Sequence, residues 1–180
     1  TGRSASVRTA TTAAAPTIWW AFDDPSGNAT DSSGNGTTGS VTSGVTRSVA
    51  GAVPRGTAWH LNGTSNACPT SSISYANPTT FTVELWFRSS STTGAGLVSF
   101  TNTSVASSAV NWDRHVYLRD DGTISWGLNG SPSQVLTSTK SYNDGLWHHV
   151  AATIGNGGQL LYVDGALAAS GPNQGAENFT

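Results

Sequence analysis

A single cysteine, Cys68, stands in 180 residues, so no disulfide can close within the chain and no cysteine-rich zinc site can form. Two readings stay open for that thiol. It packs as a small buried apolar group, or it is half of a disulfide whose partner lies on another chain or beyond these residues. Charge is scarce as well: Asp, Glu, Lys and Arg make up 10% of the residues, where about a quarter is usual. The formal net charge is −2, and the eight Lys and Arg are scattered without a basic run. Phosphates find no cluster to meet, which excludes nucleic acid as a partner class. No apolar run approaches the roughly 20 residues of a membrane span, and the N-terminus has no signal-peptide core, which argues against membrane insertion. No segment sustains a helical apolar period, so no long helix is expected.

What the chain has in quantity is Ser, Thr, Gly and Asn between short apolar runs, the composition of many brief strands joined by polar turns. Residues 1–16 read as a Ser/Thr/Ala-rich leader or linker ending at Pro16, and residues 17–180 as one domain. Within it, Ile18 to Phe22 reads as a short strand broken by Asp23-Asp24-Pro25-Ser26-Gly27, and Asp31 to Gly36 as a second acidic, glycine-rich loop. Thr57 to Leu61 alternates, with Trp59 and Leu61 expected inward. Phe81 to Arg88 is a strand with Phe81, Val83, Leu85 and Phe87 on its apolar face. Ala95 to Thr101 follows, then a hairpin from His115 to Arg119 and Thr123 to Leu128 reversed at Asp121-Gly122, then short strands at Gln134 to Leu136 and Leu167 to Ala169. Such spacing predicts an all-β, two-sheet antiparallel sandwich or jelly roll. One continuous core is expected from Trp20, Trp59, Phe81, Leu85, Phe87, Trp126 and Val150.

The most punctuated stretch is Tyr142 to Gly165. Asn143-Asp144-Gly145 turns, Leu146 to Ile154 alternates, Gly155-Asn156-Gly157-Gly158 reverses the chain, Gln159 to Val163 runs back and Asp164-Gly165 turns again. Neither face of its first strand is plainly polar, so cover on both sides is expected. Trp147-His148-His149-Val150 followed by Tyr162-Val163-Asp164-Gly165 resembles the hallmark of laminin G-like domains in the concanavalin A-like lectin/glucanase superfamily. Phe81 to Arg88 is similar to the central strand of that family, and Trp20 to Asp24 with Asp31 to Gly36 to its opening, so the likeness runs from about Ile18 to Ser170. The resemblance implies two curved antiparallel sheets, with one of the two adjacent histidines packed between them. It also implies further strands after Tyr162-Val163-Asp164-Gly165, so the domain reads as lacking its C-terminal strands, to be completed by a further segment or chain.

Chemistry finds little to stand on. Glycoside hydrolysis needs two carboxylates flanking the bond, whereas Glu84 is alone on its strand, and Asp23-Asp24 and Asp120-Asp121 are adjacent turn acids that diverge. His148 and His149 point to opposite faces and cannot chelate one metal together. Nucleophile elbows and phosphate-binding glycine loops are absent. Calcium is the one cofactor to weigh, because oxygen-rich loops suit it. Asp23, Asp24, Asp31 and Asn35 are the positions most like its ligands in the relatives, against the plainer reading of solvated acidic turns. Of seven Trp, Trp20, Trp59 and Trp126 are in phase with core residues. Trp86, on the polar face of its strand, and Trp112, in a loop beside Asp113 and Arg114, are the candidates for contact with a ligand, together with Arg114 itself. The expected function is a non-catalytic extracellular recognition module, secreted or at the cell surface, binding a glycan or an extracellular protein. The alternatives are a structural subunit or spacer completed by another chain and, disfavoured by the missing acid pair, a glycoside hydrolase.

Overall fold

A computed structural model describes residues 15–41, 43–63, 67–71, 73, 75, 78–101, 112–129 and 134–172. Residues 102–111, most of the leader and everything after Pro172 lie outside the described residues. Among the described residues there are ten strands and no helix: β1 Val45–Ala50, β2 Thr57–Leu61, β3 Phe81–Arg88, β4 Ala95–Thr101, β5 Trp112–Leu118, β6 Thr123–Leu128, β7 Gln134–Ser141, β8 Trp147–Gly155, β9 Gly158–Val163 and β10 Ala166–Gly171. All pairs are antiparallel. They build two four-stranded sheets, ordered β10-β9-β8-β3 and β4-β5-β6-β7, and a separate β1-β2 hairpin.

The two four-stranded sheets enclose the core because each strand alternates. Val150, Ala152 and Ile154 of β8, Leu161 and Val163 of β9 and Phe87 of β3 meet Val116, Leu118, Ile124, Trp126, Leu128 and Leu136 from the other sheet. Phe81 and Leu85 are only partly buried against that cluster. Trp20 and Trp59, expected in the same core, are not in it. Phe22 sits between them, with ring centroids 6.2 Å from Trp20 and 5.2 Å from Trp59, and the three form a second, smaller aromatic cluster near the β1-β2 hairpin. Leu61 is exposed rather than inward, because the strand ends there at Asn62-Gly63. Leu146, expected in phase with His148, is also exposed, since it belongs to the turn before β8. Ile18 to Phe22 is not a strand either. A positive φ of 56° at Phe22 bends the backbone out of extension, and a single bridge joins Trp20 to Asp31.

One histidine of the adjacent pair does pack between the sheets. The His148 ring lies 5.8 Å from Phe87 and 5.0 Å from Tyr142 by centroids, while Trp147, His149, Ala151 and Thr153 on the opposite face are half-buried. The hairpin turns differ in kind. Asp164 and Gly165 both have positive φ, 52° and 76°, the pairing of a two-residue type I′ loop. At the β5-β6 reversal only Gly122 does, at 79°. Its amide donates to the Arg119 carbonyl at 2.9 Å, and the Arg119 amide donates to that of Thr123 at 2.8 Å. That loop therefore has three residues, with a glycine bulge closing it, rather than the two that Asp121-Gly122 suggests. Gly165→Val is expected to cost about 1 kcal/mol or more through backbone strain alone, because no atom lies within 4 Å of the position a Cβ would take. A lower urea midpoint would show it, and an unchanged midpoint would contradict the turn assignment.

Candidate functional site

The oxygen-rich loops come first in the chain. Asp31 Oδ1 accepts the amides of Trp19 at 3.0 Å and Ser33 at 2.9 Å, and its Oδ2 accepts the Thr37 amide at 2.9 Å and the Ser33 hydroxyl at 2.8 Å. Those donors, the Trp19 amide foremost, hold its carboxyl well below the usual range. Asp24 accepts the Thr30 hydroxyl at 2.6 Å and amide at 3.0 Å, the hydroxyl bond being the larger cause of its lowered pKa. Asn35 Nδ2 donates to the Thr17 carbonyl at 3.0 Å, and Asp23 is exposed. These loops therefore fold around their own acids. An ionised carboxylate offers about four acceptor sites, and Asp31 spends that many on its neighbours. Among the described residues no group of three or more His, Cys, Asp or Glu is arranged to hold a metal ion. Millimolar calcium chloride is accordingly expected to leave the melting temperature unchanged, whereas a rise that follows calcium concentration would contradict that. Cys68 is exposed rather than buried, its Sγ 3.6 Å from the Pro69 carbonyl.

Trp86 and Trp112 are both exposed, 55% and 42%, but the fold puts them on opposite outer surfaces of the sandwich. Trp86 follows the alternation of β3, so with Phe87 inward it points out beside Glu84 and Arg88. It pairs across the sheet with His149, whose ring is 5.1 Å away and whose Nε2 is 3.5 Å from Glu84. The Arg88 guanidinium lies over the Trp147 ring at 5.2 Å. The outward neighbours of Glu84 are Thr82, Trp86, Ala151 and His149, and none is a carboxylate.

Trp112 opens β5 instead of lying in a loop, and the strand is irregular there. Pairing with β4 shifts register between Val98 and Phe100, and Arg114 adopts a positive φ of 46°. The bulge puts Asp113 and Arg114 both inside. Arg114, expected beside Trp112 at the surface, is 2% exposed, with Nη1 2.5 Å from Asp113 Oδ2 and Nη2 donating to the Pro78 carbonyl at 3.2 Å. Its guanidinium is not offered to solvent. Beyond the bulge His115 and Tyr117 point outward while Val116 and Leu118 point in. Trp112 consequently stacks on His115 at 5.0 Å with planes 20° apart, and His115 meets Tyr117 at 4.8 Å. Burial between these rings pushes the His115 pKa down to about 4, so the imidazole is neutral near neutral pH.

Two glycines flank this row of rings. Gly96 pairs with Tyr117 and Gly127 with His115 on the flanking strands. A methyl placed on Gly127 would meet Val135 at 3.7 Å and Tyr117 at 4.0 Å, ordinary contact distances. Tyr117 and Val135 thus close over a residue with no side chain. His115, Tyr117, Gly96 and Gly127 were not singled out from sequence. The alternation of His115 and Tyr117 with Val116 and Leu118 was the signal that could have marked them.

A laminin G-type family model, described as concanavalin A-like lectin/glucanases superfamily, matches residues 62–180. That span holds both four-stranded sheets and leaves the Ile18 to Gly36 opening outside it. No curated protein and no solved structure matches the chain.

Proposed function

The chain belongs to the laminin G-like branch of the concanavalin A-like lectin/glucanases superfamily, and from that premise we propose that it is a non-catalytic recognition module holding a glycan against Trp112. One observation carries the reading: Trp112 is the outermost ring of a three-ring stack, exposed yet fixed in orientation by His115 and Tyr117. An indole held this way offers an apolar face to the CH face of a pyranose with little rotamer entropy to lose on binding. Absence of a second carboxylate around Glu84 supports binding without hydrolysis. Low charge and the Ser/Thr-rich composition support an extracellular setting for this proposal.

Affinity electrophoresis through gels cast with soluble β-glucan, xylan or galactomannan tests it, with calorimetry on whichever retards the protein. Trp112→Ala is expected to weaken binding about tenfold or more with the melting temperature within a few degrees of the parent. Trp86→Ala, on the opposite sheet, is expected to leave binding alone. Retardation by none of the polysaccharides, or equal binding by Trp112→Ala, would overturn the reading.

A further inference from the structure

The tip of the β1-β2 hairpin places an arginine where its turn favours glycine. Val53 to Gly56 is a turn closed by the Gly56 amide, which donates to the Val53 carbonyl at 2.9 Å. Pro54 brings the fixed negative φ of the second turn position and Arg55 follows with a φ of 66°, the combination of a type II turn. A side chain at that third position crowds the backbone, so the turn selects for glycine there. Arg55 stands in its place, exposed and without an ion pair among the described residues. Val53 and Pro54 before it are exposed too, Val53 at 61%. A strained residue that the fold does not use points to a use outside the fold.

Opening that tip takes little. β1 and β2 pair only with each other, so no strand of the two sheets holds the hairpin. Their register breaks between Thr46 and Val49, with a positive φ of 58° at Ser48, and beyond the break only Val49↔Ala58 and Ala50↔Thr57 pair before the turn. Such an end can open locally while the main core stays closed, which is how exposed loop tips come to be nicked. The other basic residues are held differently. Of the eight Lys and Arg, Arg3 and Arg8 lie outside the described residues. Arg47 donates to the Gly27 carbonyl and covers the Trp59 ring at 4.6 Å. Arg88 ends the unbroken pairing of β3 with β8, and Arg114 is buried. Arg119 has its amide and its carbonyl both bonded across the β5-β6 turn, and Lys140 lies within β7.

We propose that the Arg55–Gly56 bond is a nicking site for arginine-directed serine proteases, at which the chain divides into residues 1–55 and 56–180. The Arg55 guanidinium fills the acidic specificity pocket of such an enzyme, and Gly56 brings no side chain to the leaving side. The protease serine attacks the Arg55 carbonyl carbon, the C–N bond breaks, and the Gly56 amine departs with the proton the serine gave up. Water then hydrolyses the acyl-enzyme and leaves a carboxylate on Arg55. No disulfide ties the two pieces together, since the chain has one cysteine. The longer piece keeps both four-stranded sheets and the whole family-matched span. This inference does not rest on the glycan reading, whose residues all lie in that piece.

Trypsin at low ratio on the native full chain, followed by intact mass, tests it, with trimming at Arg3 and Arg8 counted apart. The first cut within residues 17–180 is expected after Arg55, and the piece 56–180 is expected to accumulate. Arg55→Gln is expected to slow the first internal cut about tenfold or more, because the next site opens only at a higher local cost, while the melting temperature stays that of the parent. A first cut after Arg47, Arg88, Arg119 or Lys140 would overturn the proposal. So would an Arg55→Gln variant digested as fast as the parent. Cleavage that begins only as urea unfolds the whole domain would overturn it as well, since the tip would then not open on its own.

Discussion

Asp113→Ala should be the most damaging single change in the domain, lowering stability by about 3–5 kcal/mol because it strands a buried guanidinium. Asp113 is fully enclosed, and its Oδ1 accepts the amides of Arg114 and Asn129, both at 2.8 Å, while its Oδ2 takes the Arg114 Nη1. The carboxylate therefore ties the bulge in β5 to the end of β6 as well as balancing a charge. The guanidinium it balances lies 5.6 Å from both the Phe81 and Phe100 rings, in surroundings that cannot hydrate it. Urea unfolding should show the loss directly, and the melting temperature should drop on the order of 10 °C. The double change Asp113→Leu with Arg114→Met removes both charges and should cost less than Asp113→Ala alone. A double variant as unstable as the sum of the two singles would mean that the pair acts through shape rather than charge.

This pair also marks where reading by alternation stops working. Strand bounds at Phe81–Arg88, Thr57–Leu61 and Ala95–Thr101 coincide with those read from sequence, and along Phe81–Arg88 apolar and polar residues keep step with the pleat. At Trp112-Asp113-Arg114-His115 the step fails. Two charged residues in succession read as loop, yet a bulge lets both turn inward, and the charges pay for each other's burial. The row of rings inherits this difficulty, since Trp112 and His115 share a face only because the bulge inserts a residue between them. The acidic loops are ambiguous for another reason. Asp24 and Asp31 look like ligands for a cation because local hydrogen bonding and metal binding ask for the same residue types, and only the positions of Thr30, Ser33 and Thr37 tell the two uses apart. The smaller aromatic cluster of Trp20, Phe22 and Trp59 has the composition of the main core and was assigned to it, because periodicity gives a side chain's face and not which layer that face meets.

His148 supplies the prediction that depends on pH. Its Nδ1 lies 2.8 Å from Asp164 Oδ2 and its Nε2 3.1 Å from Asp144 Oδ1. A neutral imidazole can donate only one of those bonds and turns a lone pair toward the other carboxylate, whereas the protonated ring donates both. Burial is the largest single influence and opposes the charge, but the hydrogen bonds and charges of Asp164 and Asp144 together outweigh it, so the pKa is raised. A raised folded pKa means that the stabilisation is complete below the unfolded value of about 6.5 and is lost as pH climbs through the folded value. Both carboxylates are about half exposed, at 50% for Asp144 and 46% for Asp164, so solvent screens part of the effect. The Asp144 and Asp164 pKa values are lowered, and their contribution fades only on acidification toward the ordinary carboxylate range and below. His115 works in the opposite sense. Its depressed pKa favours the folded state above about 6.5 and withdraws that support as pH falls toward about 4. The informative quantity is therefore a difference. His148→Gln keeps a polar side chain between Phe87 and Tyr142 but cannot carry charge, and it should destabilise by about 2–3 kcal/mol at pH 6, a gap that narrows steadily by pH 9. Urea midpoints of parent and variant across that range test it, and a gap that stays constant or widens with pH would show that His148 holds the two turns as a neutral ring.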